Sequence, residues 1–229
     1  MMNDPKDRLR RLTAGGMIAV LAFLMVVVCR IPMISFLSYE PKDVLLVIGG
    51  FLYGPVTALA TTAVAAVLEF LSVSTTGWWG LLMNVLSSGA FAVTAALIYR
   101  KRRTLDGAVI GLACGVLLST ASMMLWNWLV TPIYTGWPRS VVAGLLVPLF
   151  LPYNLIKDLL NAGLAMVLYK PVTRALRAAR LAPPSSGTAH PVRTYVWVVL
   201  AAAAVIVCCV CTVLLIRANP PEAVAAMGA

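Results

Sequence analysis

Apolar runs of near-bilayer length, repeated along the chain, leave it few possible folds. Between residues 13 and 216 such stretches alternate with short segments rich in Arg, Lys, Pro, Trp and Tyr. Several approach the ~20 residues a helix needs to cross a bilayer. They lack the period-two alternation of a membrane barrel, so a closed β-barrel is not expected. The balance of the 229 residues agrees: 61% are hydrophobic, 11% are charged and the mean hydropathy is +0.93. A soluble domain carries about a quarter charged residues. The chain reads as an all-α polytopic membrane protein built as one bundle.

Charge sets the expected topology. The net charge is +10. The basic residues fall between apolar runs, so they read as topological charge on one membrane face rather than a nucleic-acid surface. The first helix is expected from about Thr13 to Cys29, after a basic tail that includes Arg8, Arg10 and Arg11. Residues 44–71 could form one kinked helix or two helices broken at Gly54-Pro55, a strong punctuator. Two crossings, 44–52 and 55–71, put Arg100-Lys101-Arg102-Arg103 on the same face as the basic N-terminus, which is the arrangement positive charge favours. Further helices are expected at 81–99, at 107–130 and from Pro152 to just before Lys170-Pro171, with loops at 32–43, 72–80 and 131–151. The expected organisation is a cytoplasmic tail at 1–12, a six-helix membrane domain at 13–180, a linker at 181–194, a seventh transmembrane helix at 195–217 and an external tail at 218–229.

Polar residues inside these runs carry the functional information. Lys157 lies within a hydrophobic helix, where an ammonium costs on the order of 2.5–3.5 kcal/mol unless it faces a cavity or partner. Asn154, Lys157, Asp158 and Asn161 follow i, i+3, i+4, i+7 spacing and share one helix face. On the expected topology Tyr39, Glu40, Thr75, Thr76, Asn84, Asn127, Asn154 and Lys157 lie toward the external side at one depth. They suit a pocket for a planar polar molecule. Asn84 and Asn127 could equally bridge helices, as membrane asparagines do. Glu69 is the one acid deep in a span. Catalysis is not indicated: the chain has no phosphate-binding G-x-x-x-x-G-K-[ST] loop, no H-E-x-x-H and a single histidine, His190. No metal or cofactor is expected. Cys29, Cys114, Cys208, Cys209 and Cys211 read as free thiols in apolar runs, the last three as lipid-facing packing.

Several stretches carry a family likeness. Tyr39-Glu40-Pro41-Lys42-Asp43, Gly49-Gly50-Phe51 and Gly54-Pro55 resemble the second-helix pattern of riboflavin-specific substrate-binding (S) components of energy-coupling factor (ECF) transporters. Thr75-Thr76-Gly77, Gly80 and Asn84 look like that family's T-T-G-G-x-G-x-x-x-N stretch, with Trp78 replacing its second glycine. Trp126-Asn127-Trp128 with Pro132 and Tyr134, then Pro152-Tyr153-Asn154-Leu155-Ile156-Lys157, resemble its fifth-helix asparagine and its P-F-N-x-I-K signature. The likeness covers about residues 10–175.

The resemblance implies a six-helix S-component bundle in the cell membrane that binds riboflavin, or a close flavin, from outside. Tyr39, Thr75, Thr76, Asn84, Asn127, Asn154 and Lys157 are its candidate ligand residues. It implies docking on a transmembrane coupling subunit driven by two ATPase subunits, with Gly15 and Ala19 standing in for the docking pair. The seventh span has no counterpart in the six-helix pattern. Two other readings fit the same residues: an S component for a different micronutrient, and a membrane assembly subunit without a small-molecule ligand.

Overall fold

A computed structural model describes residues 5–34, 37–74, 77–181 and 192–218. The chain is almost entirely helical. Helix α1 spans Pro5–Val28, and a short antiparallel hairpin follows, β1 Ile31–Ile34 and β2 Leu37–Tyr39. Ile31 pairs with Tyr39 and Pro32 with Ser38. Then come α2 (Lys42–Tyr53), α3 (Pro55–Ser72), α4 (Gly77–Lys101) and α5 (Leu105–Thr135). Helix α6 (Arg139–Leu145) passes through one π-helical turn (Leu146–Phe150) into α7 (Leu151–Ala178), and α8 spans Val192–Ala218.

The break at Gly54-Pro55 is real, and its cause is backbone geometry. Gly54 has φ 97°, which a side chain would oppose, and its N–H caps α2 on the Gly50 carbonyl at 2.8 Å. Pro55 then opens α3, where its missing N–H costs nothing. The two helices run down the bundle and back. Tyr53, at the foot of α2, donates to the carbonyl of Leu181 at 3.0 Å, as does Arg10 of α1 at 3.0 Å. Tyr99 of α4 meets Tyr169 of α7 at the same end. The basic groups at 8–11, 100–103 and 174–180 thus gather at one end of the bundle. Lys42, heading α2, meets Glu69, near the end of α3, at the other.

At 12 residues and ~1.5 Å per residue, α2 is too short to span hydrocarbon, and eight of its residues are buried. Among the described residues five helical segments are long and apolar enough to cross a membrane, two fewer than the seven expected. The shortfall lies in α2 and in α8, whose apolar part, Val198–Leu214, is shorter. Other differences have local causes. The loop expected at 131–151 is mostly helix: α5 runs through Pro132 to a left-handed cap at Gly136, and the π turn accommodates Pro148. Helix α7 likewise continues through Pro171, and α4 starts at Gly77, so both Trp78 and Trp79 are helical. The 32–43 loop holds the hairpin.

The closest helix packing joins α4 to α5. A Cβ on Gly111 would sit 2.8 Å from the Ala95 carbonyl oxygen, and one on Gly115 2.8 Å from that of Phe91. These glycines let two backbones touch, which is how helices gain contact in lipid. Gly115→Val should lower stability by about 1–3 kcal/mol, read as a reduced melting temperature in detergent. Gly16→Ala, which meets nothing within 4 Å, should leave it unchanged. Equal melting temperatures for both variants would contradict this packing.

Candidate functional site

The head of α2 organises the polar end of the bundle. Helical neighbours point about 100° apart, so Lys42 and Asp43 enter different networks. Both are buried, at 3% and 0% exposure.

Lys42 faces α3 and α4. Its Nζ donates to both Glu69 oxygens at 2.7 Å and to Glu40 Oε2 at 3.1 Å. Asn84 of α4 donates to Glu69 Oε2 at 2.7 Å, and Arg30 lies 3.5 Å from Glu40. Glu69 therefore has a full set of partners, and Asn84 bridges α4 to α3.

Asp43 faces α7. Its Oδ2 accepts from Asn161 Nδ2 at 3.3 Å and lies 3.9 Å from Lys157 Nζ. Asn161 Oδ1 in turn accepts from the Tyr39 hydroxyl at 2.9 Å. Burial, with Asp43 close by, pushes the Tyr39 phenol above its ordinary range, so it stays protonated and donates. Lys157 also donates to Ser87 Oγ of α4 at 2.9 Å, and Tyr153 ties α7 to the hairpin through the Ser38 carbonyl at 2.6 Å. Elements β2, α2, α4 and α7 thus converge on one ammonium.

This second cluster has unused hydrogen-bonding capacity. Asp43 Oδ1 and Asn154 Oδ1 are buried without a hydrogen-bond partner. Asn154 uses only its amide nitrogen, on the Phe150 carbonyl of the π turn at 2.7 Å. Buried polar groups left unpaired are costly. Open acceptors on Asp43, which pairs with Lys157, and on Asn154 of the same helix have the chemistry to receive a ligand with N–H or O–H donors. No group of side chains that could hold a metal is found among the described residues.

The candidates fall into groups. Tyr39 and Lys157 meet through Asn161 and Asp43, and Asn154 lies on the same helix. Asn127 is buried, but its amide serves its own helix: Nδ2 donates to the Met123 carbonyl at 2.8 Å and Oδ1 accepts from Thr131 at 3.0 Å. Asn84 belongs to the Glu69 network. Thr75 and Thr76 lie outside the described residues. Gly15 and Ala19, the expected docking pair, lie on the inward face of α1. Both are buried, and a Cβ on Gly15 would sit 3.6 Å from the methyl groups of Thr57 and Thr61 of α3. Their small size serves the chain's own packing, and the outward face of α1 carries Gly16, Val20, Leu24 and Val27. Asp43 and Lys42 went unassigned by sequence because they sit in a segment that reads as loop. Asn161 was visible only as the last member of the polar stripe.

Comparison with known proteins places this arrangement. The family model described as the ECF transporter, substrate-specific component, matches residues 10–172. The chain belongs to this family. It is therefore a multi-pass membrane protein of a transporter family. It is 25% identical over 193 residues to the riboflavin transporter FmnP of Bacillus subtilis (strain 168), an alignment covering 76% of this chain and 99% of the relative. It is 24% identical over 181 residues to the riboflavin transporter RibU of Staphylococcus aureus (strain TCH60), covering 73% and 93%. A solved S component of a bacterial ECF transporter superposes with a TM-score of 0.63 at 25% identity, covering 74% of this chain and 98% of that one.

The Lys42–Glu69 pair is a scaffold element that can be tested alone. Glu69→Ala leaves the buried Lys42 ammonium with Glu40 as its one remaining partner and should cost about 2–4 kcal/mol. The double variant Lys42→Met/Glu69→Leu should recover most of that loss. The measurement is thermal unfolding in detergent; a single variant as stable as the parent would contradict the network.

Proposed function

We propose that this S component binds riboflavin, or a close flavin, at the end of the bundle opposite its basic face, and delivers it inward when docked to a coupling subunit and two ATPases. One observation carries the reading: Tyr39, Asp43, Asn154, Lys157 and Asn161 converge at that end, with Asp43 Oδ1 and Asn154 Oδ1 still unpartnered. An isoalloxazine ring offers a uracil-like edge of donors and acceptors, and a ribityl chain adds hydroxyls. Lys157 can donate to a ring carbonyl, and the open oxygens can accept from N–H or O–H. Asn127 joins by exchanging bonds it makes within its own helix. The riboflavin transporters among the relatives support the choice of cargo.

Positive charge favours the cytoplasm. The basic end is therefore the inner one, and the N-terminus is cytoplasmic. The polar cluster faces outward, where an importer meets its cargo. Seven passes along the bundle, with α2 carried between its neighbours instead of spanning hydrocarbon alone, put the C-terminus outside. Docking would use the outward face of α1, where Gly16 leaves room for a partner helix to approach.

Riboflavin fluorescence quenched by the purified protein is the test. Lys157→Ala and Asn154→Ala should each weaken binding about 10- to 100-fold, which corresponds to about 1–3 kcal/mol for a buried polar contact. Parent-like affinity in both variants would remove this site from consideration.

A further inference from the structure

Helix α8 lies outside the family match, which ends at residue 172. It is nonetheless fitted to the bundle. Gly163 of α7 is the contact point: a Cβ there would sit 3.0 Å from Ile206 Cγ1 and 3.2 Å from the Ala202 carbonyl oxygen. Ala202, Ile206, Cys209, Val213 and Ile216 recur at alternating spacings of four and three, the seam of a helix packed along another. Cys208 and Cys211 point outward, but Cys209 is only 4% exposed. The lipid-facing expectation fails for that one thiol.

What Cys209 packs against gives the seam a role. It shares a buried cluster with Met33 of β1, Tyr39 of β2, and Ile156 and Leu160 of α7. Ile156 and Leu160 flank Lys157 and Asn161 in sequence, and Tyr39 donates to Asn161. Helix α8 also touches β1 directly. Its contact with the polar cluster is through Tyr39. It stands behind the hairpin and the α7 face that carry the cluster.

We propose that α8 is a built-in strap: it holds the hairpin and Tyr39 against α7, and so sets how fast a bound flavin leaves. This rests on the flavin reading of the site. Outward release requires the hairpin to part from α7. With α8 packed on both, that opening must also break an apolar seam. The strap therefore acts on dissociation more than on association.

Two measurements on the full chain in nanodiscs test it. Gly163→Val, which crowds α8 off α7, and Cys209→Ala, which loosens only its contact with the hairpin cluster, should speed riboflavin release about 3- to 30-fold with association changed less than about twofold. Cys211→Ala, on the outward face, should release at the parental rate. In the ligand-free protein, the same two variants should raise amide hydrogen exchange in Ile31–Ile34 and Leu37–Tyr39. If Gly163→Val does not fold, Cys209→Ala decides. Parental release together with parental hairpin exchange overturns the strap. A parent chain that binds no riboflavin, but whose hairpin exchange rises in the variants, overturns the flavin reading and leaves the strap standing.

Discussion

A charge buried in a membrane bundle must meet its partner inside the protein, and the adjacent residues Lys42 and Asp43 turn that requirement into architecture. Lys42 pulls α3 and α4 together through Glu69 and Asn84. Asp43 receives α7 through Asn161 and Lys157. A helix of 12 residues cannot cross a bilayer by itself, so α2 is held by neighbours on both sides, and its head becomes the place where they converge. The satisfied network on one side fixes the geometry of the unsatisfied one on the other.

That division explains why the two polar clusters differ in character. Around Glu69 the contacts are short and every carboxylate oxygen has a donor, which is what a structural ion pair in low dielectric demands. Around Lys157 the ion pair is longer, at 3.9 Å, and Asp43 Oδ1 is open. A scaffold that can close one network fully, yet leaves its neighbour with spare capacity, is arranged to bind something there. Membership of a family of transporter substrate-binding components fits that chemistry.

Much of this was legible in the sequence because hydropathy and charge act locally. The Gly54-Pro55 break followed from backbone preference combined with the placement of basic clusters. The face carrying Asn154, Lys157 and Asn161 followed from helical spacing alone. Pro132 and Pro171 misled, since both lie inside helices that continue past them. Pairings across the bundle were not legible: Tyr39 meets Asn161 across 122 positions, and Lys42 meets Glu69 across 27. The small residues Gly15 and Ala19 lie on the buried face of α1. Their spacing could not say that this face packs on the chain's own α3.

The central claim is that a cluster of buried acceptors around one ammonium captures a flavin. Native mass spectrometry of the full chain, offered riboflavin and an unrelated vitamin such as pantothenate in equal amounts, tests it most directly. The account predicts one riboflavin retained per protein and no pantothenate. Retention of pantothenate instead, or of neither compound by folded protein, would contradict it.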